Sequence, residues 1–205
     1  SSTKMVIQML SPNQDGEVAN TAMLDFEDSM KPSWSNVKSG FKNIIGVANG
    51  NLSFTQDDGK SYQLNPNKMA HPMVRVRGLH LIEKNVLVNN QPVAGGFLDL
   101  LVTAFHTAKI FISNKKTPKF YVPKCEHYLE ARLWNSVFGF IENKLNLSLG
   151  TLRATFLIET LPAAFQMEEI LFEIKDRACG LNGGRWDKIF SDIKTLKNHK
   201  DRIMA

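Results

Sequence analysis

The chain has 205 residues, 43% of them apolar and 22% charged, with a formal net charge of +5. That is one domain's worth of sequence, with enough apolar residues for a core and no unbroken apolar run of about 18 or more that would mark a membrane span. Two cysteines, Cys125 and Cys179, sit far apart, which argues against a disulfide framework and for a reducing compartment. No secretory signal pattern opens the chain, and Ser1-Ser2-Thr3 carries no initiator Met, so it reads as a piece of something longer. The basic cluster Lys194, Lys197, Lys200 and Arg202 reads as a solvated helix face. Its alternative is a polyanion contact, either nucleic acid or a phosphate-bearing cofactor, and no nucleic-acid motif supports the former.

In chain order, residues 1–20 form a leading segment: Lys4–Leu10 is the end of a helix and Ser11–Asn20 a polar loop. Thr21–Asp25 reads as a buried strand running into Phe26-Glu27-Asp28-Ser29. Three carboxylates in four residues at a strand end are costly unless they bind something or are hydrogen-bonded. Pro32–Val47 reads as a helix beginning near Ser33 or Ser35. Residues 49–64 contain a β-hairpin insertion, with Asp58-Gly59 as its turn. Met73–Arg77 is a second strand with Arg75 and Arg77 on one face, an expensive arrangement without an anion to meet them. His80 is open to reading as a metal ligand or as an ordinary structural histidine. Leu81–Gly95 reads as a connection with one short strand, Val86–Val88. Phe97–Ile112 reads as a helix with apolar Leu101, Phe105 and Ile112.

Lys119–Pro123 is a third strand, stopped by its proline. Cys125-Glu-His127 is a weak zinc fragment without a partner pair at ligand spacing. Tyr128–Leu145 reads as an amphipathic helix with a core stripe of Leu129, Leu133, Val137, Ile141 and Leu145. Arg153–Ile158 is a fourth strand ending on Glu159. Thr160-Leu-Pro162 opens a helix that buries Met167, Ile170, Leu171 and Ile174 and turns Glu168, Glu169 and Glu173 to water. Cys179–Asn182 is a fifth strand, and a helix follows from Trp186. Gly180, Gly183 and Gly184 crowd together ahead of Asp187. They predict either a loop that cradles an anion beside a cation held by the carboxylate, or an ordinary glycine-rich turn.

The strand–helix alternation implies an α/β fold with parallel strands joined by right-handed crossovers. Asp25, Glu27, Arg75, Glu159 and Asp187 then lie at strand ends, which share one face of a barrel or open sheet. Carboxylates with water suit Mg²⁺, and an arginine beside the metal would polarise an electrophilic oxygen.

These residues carry a resemblance to malate synthase, of the shorter form. The similar stretches are Asp25-Phe-Glu-Asp-Ser29, Arg75-Val-Arg-Gly-Leu-His-Leu81, Tyr121-Val-Pro-Lys124, Leu157-Ile-Glu-Thr-Leu-Pro-Ala163, and Lys175-Asp176 through Gly180-Leu-Asn-Gly-Gly-Arg-Trp-Asp187 to Phe190. They run in the family's order over nearly the whole chain. The resemblance implies a TIM (β/α)8 barrel that condenses acetyl-CoA with glyoxylate and water to malate and CoA. It implies Glu159 and Asp187 as Mg²⁺ ligands and Arg75 as the catalytic stabiliser of the oxyanion. Glyoxylate is expected against Arg75, Glu159 and the turn Gly184, Arg185, Trp186 and Asp187. Asp25 and Glu27 are expected behind the metal, and Ser29 near the acetyl-CoA channel.

The family signature usually has His at position 177 and Tyr at 188, where this chain has Arg177 and Lys188. Residues 21–205 match about five of the barrel's eight strand–helix units, and the family's catalytic aspartate belongs to a C-terminal domain with no counterpart here. Open barrel edges would favour self-association. Small-molecule substrates are expected, with no nucleic acid and no membrane, in the cytoplasm or in a glyoxysome or peroxisome. Two alternatives stand beside this: a fragment that binds Mg²⁺ and glyoxylate without turnover, and an Mg²⁺-dependent carbon–carbon lyase acting on acyl-CoA esters.

Overall fold

A computed structural model describes residues 2–202; Ser1 and residues 203–205, counted above with the leading segment and the barrel domain, lie outside the described residues. The chain divides into two compact units, Ser1–Phe120 and Tyr121–Ala205. The first unit contains α1 (Thr3–Leu10), β1 (Thr21–Asp25), α2 (Trp34–Ala48), β2 (Ser53–Thr55), β3 (Ser61–Gln63), β4 (His71–Arg75), β5 (Ile82–Val88), β6 (Gln91–Ala94) and α3 (Gly95–Ser113). Strand β7 (Lys119–Val122) carries the chain into the second unit, which contains α4 (Tyr128–Lys144), β8 (Arg153–Ile158), α5 (Leu161–Ala164), α6 (Met167–Glu173), β9 (Ala178–Gly183) and α7 (Arg185–Leu196). Among the described residues, five strand-then-helix repeats follow in chain order, beginning at β1, β4, β7, β8 and β9.

Local chemistry sets the ends of these elements. Ser33 caps α2 by accepting from the Asn36 N–H, and Thr160 caps α5 by accepting from the Ala163 N–H. The His127 side chain does the same for α4, accepting from the Leu129 N–H at 3.1 Å. β2 and β3 form the expected hairpin, with Gly59 at φ +83° in its turn. The stretch expected to hold one short strand is a second hairpin: β5 and β6 pair antiparallel across Asn89 and Asn90, both at positive φ. Two consecutive positive-φ residues make the primed turn that matches strand twist, and asparagine tolerates that conformation.

β1 and β4 pair in parallel, in register from Thr21↔His71 to Asp25↔Arg75. Of the β1 residues only Leu24 is buried, so the strand is half-covered rather than buried throughout. β4 starts and ends two residues earlier than expected, which puts Arg77 beyond the strand and off the face that carries Arg75.

Three expected core stripes differ from those observed. In α4 the buried row is Ala131, Trp134, Phe138 and Ile141, continuing to Leu145, while Leu129 and Leu133 are exposed and Val137 is half-buried. A strict four-residue step drifts by about 40° per step around a helix, whereas alternating steps of three and four hold one face. In α6, Met167 and Leu171 are exposed and Ile170 is buried, with buried Ile174 beyond it. In α3 the face toward the core is Leu100, Thr103, Ala104, Thr107, Ala108 and Phe111, and Leu101, Phe105 and Ile112 are exposed. Small residues on that face let α3 lie close against α2. α3 is also long and apolar enough to cross a membrane by length and composition, although half of that window is buried within the protein.

Candidate active-site residues

In the first unit the candidate residues gather where β1 and β4 end together. Arg75 Nε donates to Asp25 Oδ1 at 2.7 Å, and Arg75 Nη2 donates to Asp25 Oδ2 at 2.5 Å. The Ser29 hydroxyl donates to Asp25 Oδ2, and the Glu27 N–H donates to Asp25 Oδ1 at 2.9 Å. Arg75 Nη1 lies 3.6 Å from the buried Glu27 carboxylate and 3.7 Å from Asp28. The costly run of carboxylates is thus met by one guanidinium. Burial raises the Asp25 carboxyl, but its hydrogen bonds from Arg75, Ser29 and Glu27 outweigh that and hold it below its usual value. Burial works against the Arg75 charge, and the surrounding carboxylates overcome it, so Arg75 is more firmly protonated than usual.

Asp25 and Glu27 were expected behind the metal; in this unit their observed partner is Arg75. Ser29 lines an open groove of about 680 Å³ together with Met5, Met9, Met23, Met30 and Lys31. Arg77 has anions of its own: its Nε and Nη2 donate to Asp99 at 2.9 and 2.8 Å, and its Nη1 donates to Glu83 at 2.9 Å. All three residues are buried, so Arg77 anchors α3 and β5 to the end of β4. His80 is exposed.

In the second unit a separate set of candidate residues gathers where β8 and β9 end. These strands pair in parallel, and the register skips one residue between Ala154↔Ala178 and Thr155↔Gly180. Cys179 is the extra residue of this bulge, and Gly180 takes φ +150°, a conformation that an L side chain rarely adopts. The skip sets Ile158 opposite Gly183, so that Glu159 and Gly184 follow side by side, with the Gly184 N–H donating to Ile158 O at 3.1 Å. A Cβ at Gly184 would lie 2.6 Å from both Cβ and Oε2 of Glu159. The glycines therefore form a strand end and a helix N-cap rather than a loop: Gly180 and Gly183 belong to β9, and Gly184 caps α7.

Glu159 is 1% exposed. Its Oε1 accepts from the Lys124 N–H at 2.7 Å, and Lys124 Nζ lies 3.7 Å from the same oxygen and 2.9 Å from Asp187 Oδ1. Burial is the main cause that raises the Glu159 carboxyl above its usual value, the nearby Asp187 carboxylate adds to it, and Lys124 opposes. Asp187 stands in the first turn of α7. The first-turn N–H groups at Arg185, Trp186 and Asp187 have no acceptor within the helix, which makes this end receptive to an anion. The Arg185 and Trp186 side chains are exposed and stacked on each other, 4.5 Å from guanidinium carbon to ring centre.

Two carboxylates at this point fit Mg²⁺, which binds through one or two carboxylates and completes its shell with water and substrate. Among the described residues no three acidic, histidine or cysteine side chains gather into an all-protein metal cage. The Cys125 and His127 fragment is structural: burial pushes the Cys125 thiol up to about 12, its Sγ donates to His127 O, and the His127 ring caps α4. The sequence assigns Lys124 no role beyond its place in Tyr121-Val-Pro-Lys124. A lysine directly after a strand-ending proline was the signal that could have singled it out.

The side chains at positions 177 and 188 pair with other residues. Arg177 is fully buried, donating to Asn135 Oδ1 at 2.5 Å and to Glu142 Oε1 and Leu152 O at 3.2 Å each. Lys188 pairs with Asp192 at 2.7 Å along α7.

A family model described as malate synthase, TIM barrel domain, matches residues 72–205. The chain is 47% identical over 204 residues to the glyoxysomal malate synthase of Candida tropicalis and 46% identical over 201 residues to malate synthase A of Escherichia coli K12. Each alignment covers 98% of this chain but only 36% and 37% of those proteins, so the chain spans about a third of the length of these curated relatives. Among solved structures, the magnesium/glyoxylate complex of Haloferax volcanii malate synthase aligns with a TM-score of 0.57 at 16% identity, covering 84% of this chain and 44% of that one. The pyruvate/acetyl-CoA ternary complex of the same protein aligns with a TM-score of 0.57 at 17% identity, covering 84% and 41%. At such identities these two structures speak for the fold alone.

Proposed function

The chain belongs to the malate synthase family, and from that premise we propose that the intact protein condenses acetyl-CoA with glyoxylate and water to give malate and CoA, with Mg²⁺ as its metal. The observation that carries the reading is the pair formed by buried Glu159 and Asp187, set by the β9 bulge and by the Cβ-free approach at Gly184. Both supply the hard oxygen ligands that Mg²⁺ prefers. When bound there, Mg²⁺ would act as a Lewis acid on the glyoxylate aldehyde. The first-turn N–H groups of Arg185, Trp186 and Asp187 would hold the glyoxylate carboxylate.

Arg75 serves as the oxyanion stabiliser in this reading. Its charge is secured by Asp25, Glu27 and Asp28, and the fork onto Asp25 leaves Nη1 as its less committed end. An acetyl thioester is a very weak carbon acid, so preorganised positive charge has to lower the cost of the enolate. The acetyl proton itself goes to an aspartate that the family resemblance puts outside residues 1–205. Ser29, on the methionine-lined groove, is assigned to the acetyl-CoA side. The free thiols of Cys125 and Cys179 fit a reducing compartment, cytoplasmic or peroxisomal.

The test is release of CoA thiol from acetyl-CoA by the intact protein. Release that requires both glyoxylate and Mg²⁺ and stops with EDTA is expected, and the 205-residue chain alone should release none. Binding of glyoxylate and Mg²⁺ by the intact protein without thiol release would overturn the assignment of turnover and leave a binding protein.

A further inference from the structure

Lys124 makes two different contacts with one carboxylate pair. Its backbone N–H donates to Glu159 Oε1 at 2.7 Å, and its ammonium lies 2.9 Å from Asp187 Oδ1 and 3.7 Å from that same Glu159 oxygen. The backbone that allows this is unusual: Lys124 has φ +56°, in the left-handed region. A non-glycine residue there carries a steric cost and persists only where its surroundings fix it. The surroundings do so here. Pro123 stiffens the approach, and the next residue is buried, with the Thr160 hydroxyl donating to Cys125 O at 2.9 Å. The left-handed turn is what aims the N–H and the side chain of one residue at the same place.

An ammonium at these distances lies on the oxygens that a divalent cation would need. Lysine is a compact point charge on a flexible four-carbon stem, so it can leave a carboxylate without moving the backbone. The geometry points to Lys124 as a displaceable counter-ion. Its side chain holds Glu159 and Asp187 as a pair and competes with a divalent cation for them, while its backbone N–H keeps Glu159 oriented throughout. Lys124 is then a positioning residue that sets metal affinity. The inference rests on Glu159 and Asp187 being the metal ligands.

The experiment is direct binding of Mn²⁺, followed by its electron paramagnetic resonance, to the intact protein without substrates. Lys124→Met and Lys124→Gln should both bind Mn²⁺ about threefold to fivefold more tightly than the parent, the scale on which removing one partly exposed competing charge acts. In the absence of metal both variants should melt below the parent, and saturating Mg²⁺ should close that gap. A third measurement needs no variant: acylation of the Lys124 amine, read by peptide mass spectrometry, should rise when Mg²⁺ is added. Unchanged or weaker Mn²⁺ binding by both variants, or Lys124 labelling that Mg²⁺ leaves unchanged, would make Lys124 a fixed structural partner and overturn the inference. Failure of the ligand assignment gives a different result, since Mn²⁺ binding would then survive Glu159→Gln combined with Asp187→Asn.

Discussion

Asp25 and Arg75 are register partners at the ends of two parallel strands, and the guanidinium of one forks onto the carboxylate of the other at 2.7 and 2.5 Å. A bidentate fork fixes the plane as well as the position of the guanidinium. Asp25→Asn keeps the shape but loses one acceptor and the charge, so Arg75 is free to tilt. A small misplacement of a stabilising group can cost up to about a hundredfold. In the intact protein kcat for thiol release should therefore fall tenfold or more, on the order of 1.4 kcal/mol in barrier, with little change in KM for glyoxylate. A kcat within about threefold of the parent, under roughly 0.7 kcal/mol, would remove Asp25 from any positioning role.

The same pair predicts a pH dependence of stability. The Asp25 carboxyl is held below its usual 3.8 in the folded protein. Its contribution is therefore complete above the unfolded value and is lost as pH falls through the lowered folded value. As pH falls below about 4, the melting temperature of the parent should drop more steeply than that of Asp25→Asn, which has no carboxyl to protonate. Parallel melting curves across that window would mean that the ion pair adds nothing to stability.

Gly184 has no room for a methyl group, because its Cβ would meet Glu159 at 2.6 Å. Glu159 is held from its other oxygen by the Lys124 N–H, so it cannot simply retreat. Gly184→Ala should cost about 1–3 kcal/mol of stability, the usual range for overpacking a tight site. It should also weaken Mg²⁺ binding, as read by calorimetry. Parental urea midpoint and parental metal affinity together would show that the close approach is not required.

Two strand ends were legible in the sequence because each is a short apolar run that stops on a charged residue, Asp25 and Glu159 after Ile158, whereas the alternation of Val and Arg carried the expected end of β4 two residues too far, to Arg77. The helix faces were less legible. Leu129 and Leu133 look like core on spacing alone, yet steps of four leave the face that Trp134 and Phe138 hold. Arg77 was recognised as needing an anion, but its partner Asp99 lies 22 residues on, in the next helix, and only folding brings them together. The β5–β6 hairpin left a weak trace in Asn89-Asn90, which lacks the glycine of the commonest turn. Lys124 left less still. Its importance comes from a left-handed backbone that a lysine does not announce in a sequence.

Asp187 offers a sharper test of the metal assignment because it is partly exposed and adds little to packing. Asp187→Asn should leave the melting temperature near that of the parent. It should lower kcat of the intact protein by about a hundredfold or more, the usual cost of deleting one electrostatic stabiliser. Near-normal activity with Mg²⁺ would sink the role of Asp187 as a ligand.

Arg177 tests whether a departure from the family signature belongs to the site or to the core. Its guanidinium is fully buried, shared among Asn135, Glu142 and Leu152 O, and stacked 5.0 Å over the Phe138 ring. Glu142, itself buried, also accepts from the Leu152 N–H at 2.7 Å and the Gly150 N–H at 3.2 Å. Arg177→Met would keep most of the apolar stem but strand the Glu142 charge with backbone donors alone. Breaking one partner of a buried pair costs about 3–5 kcal/mol, and the two remaining donors put this case near the lower end. The urea midpoint should shift accordingly, while the protein that remains folded keeps its Mg²⁺-dependent turnover. Loss of turnover at parental stability would instead give Arg177 a part in the chemistry.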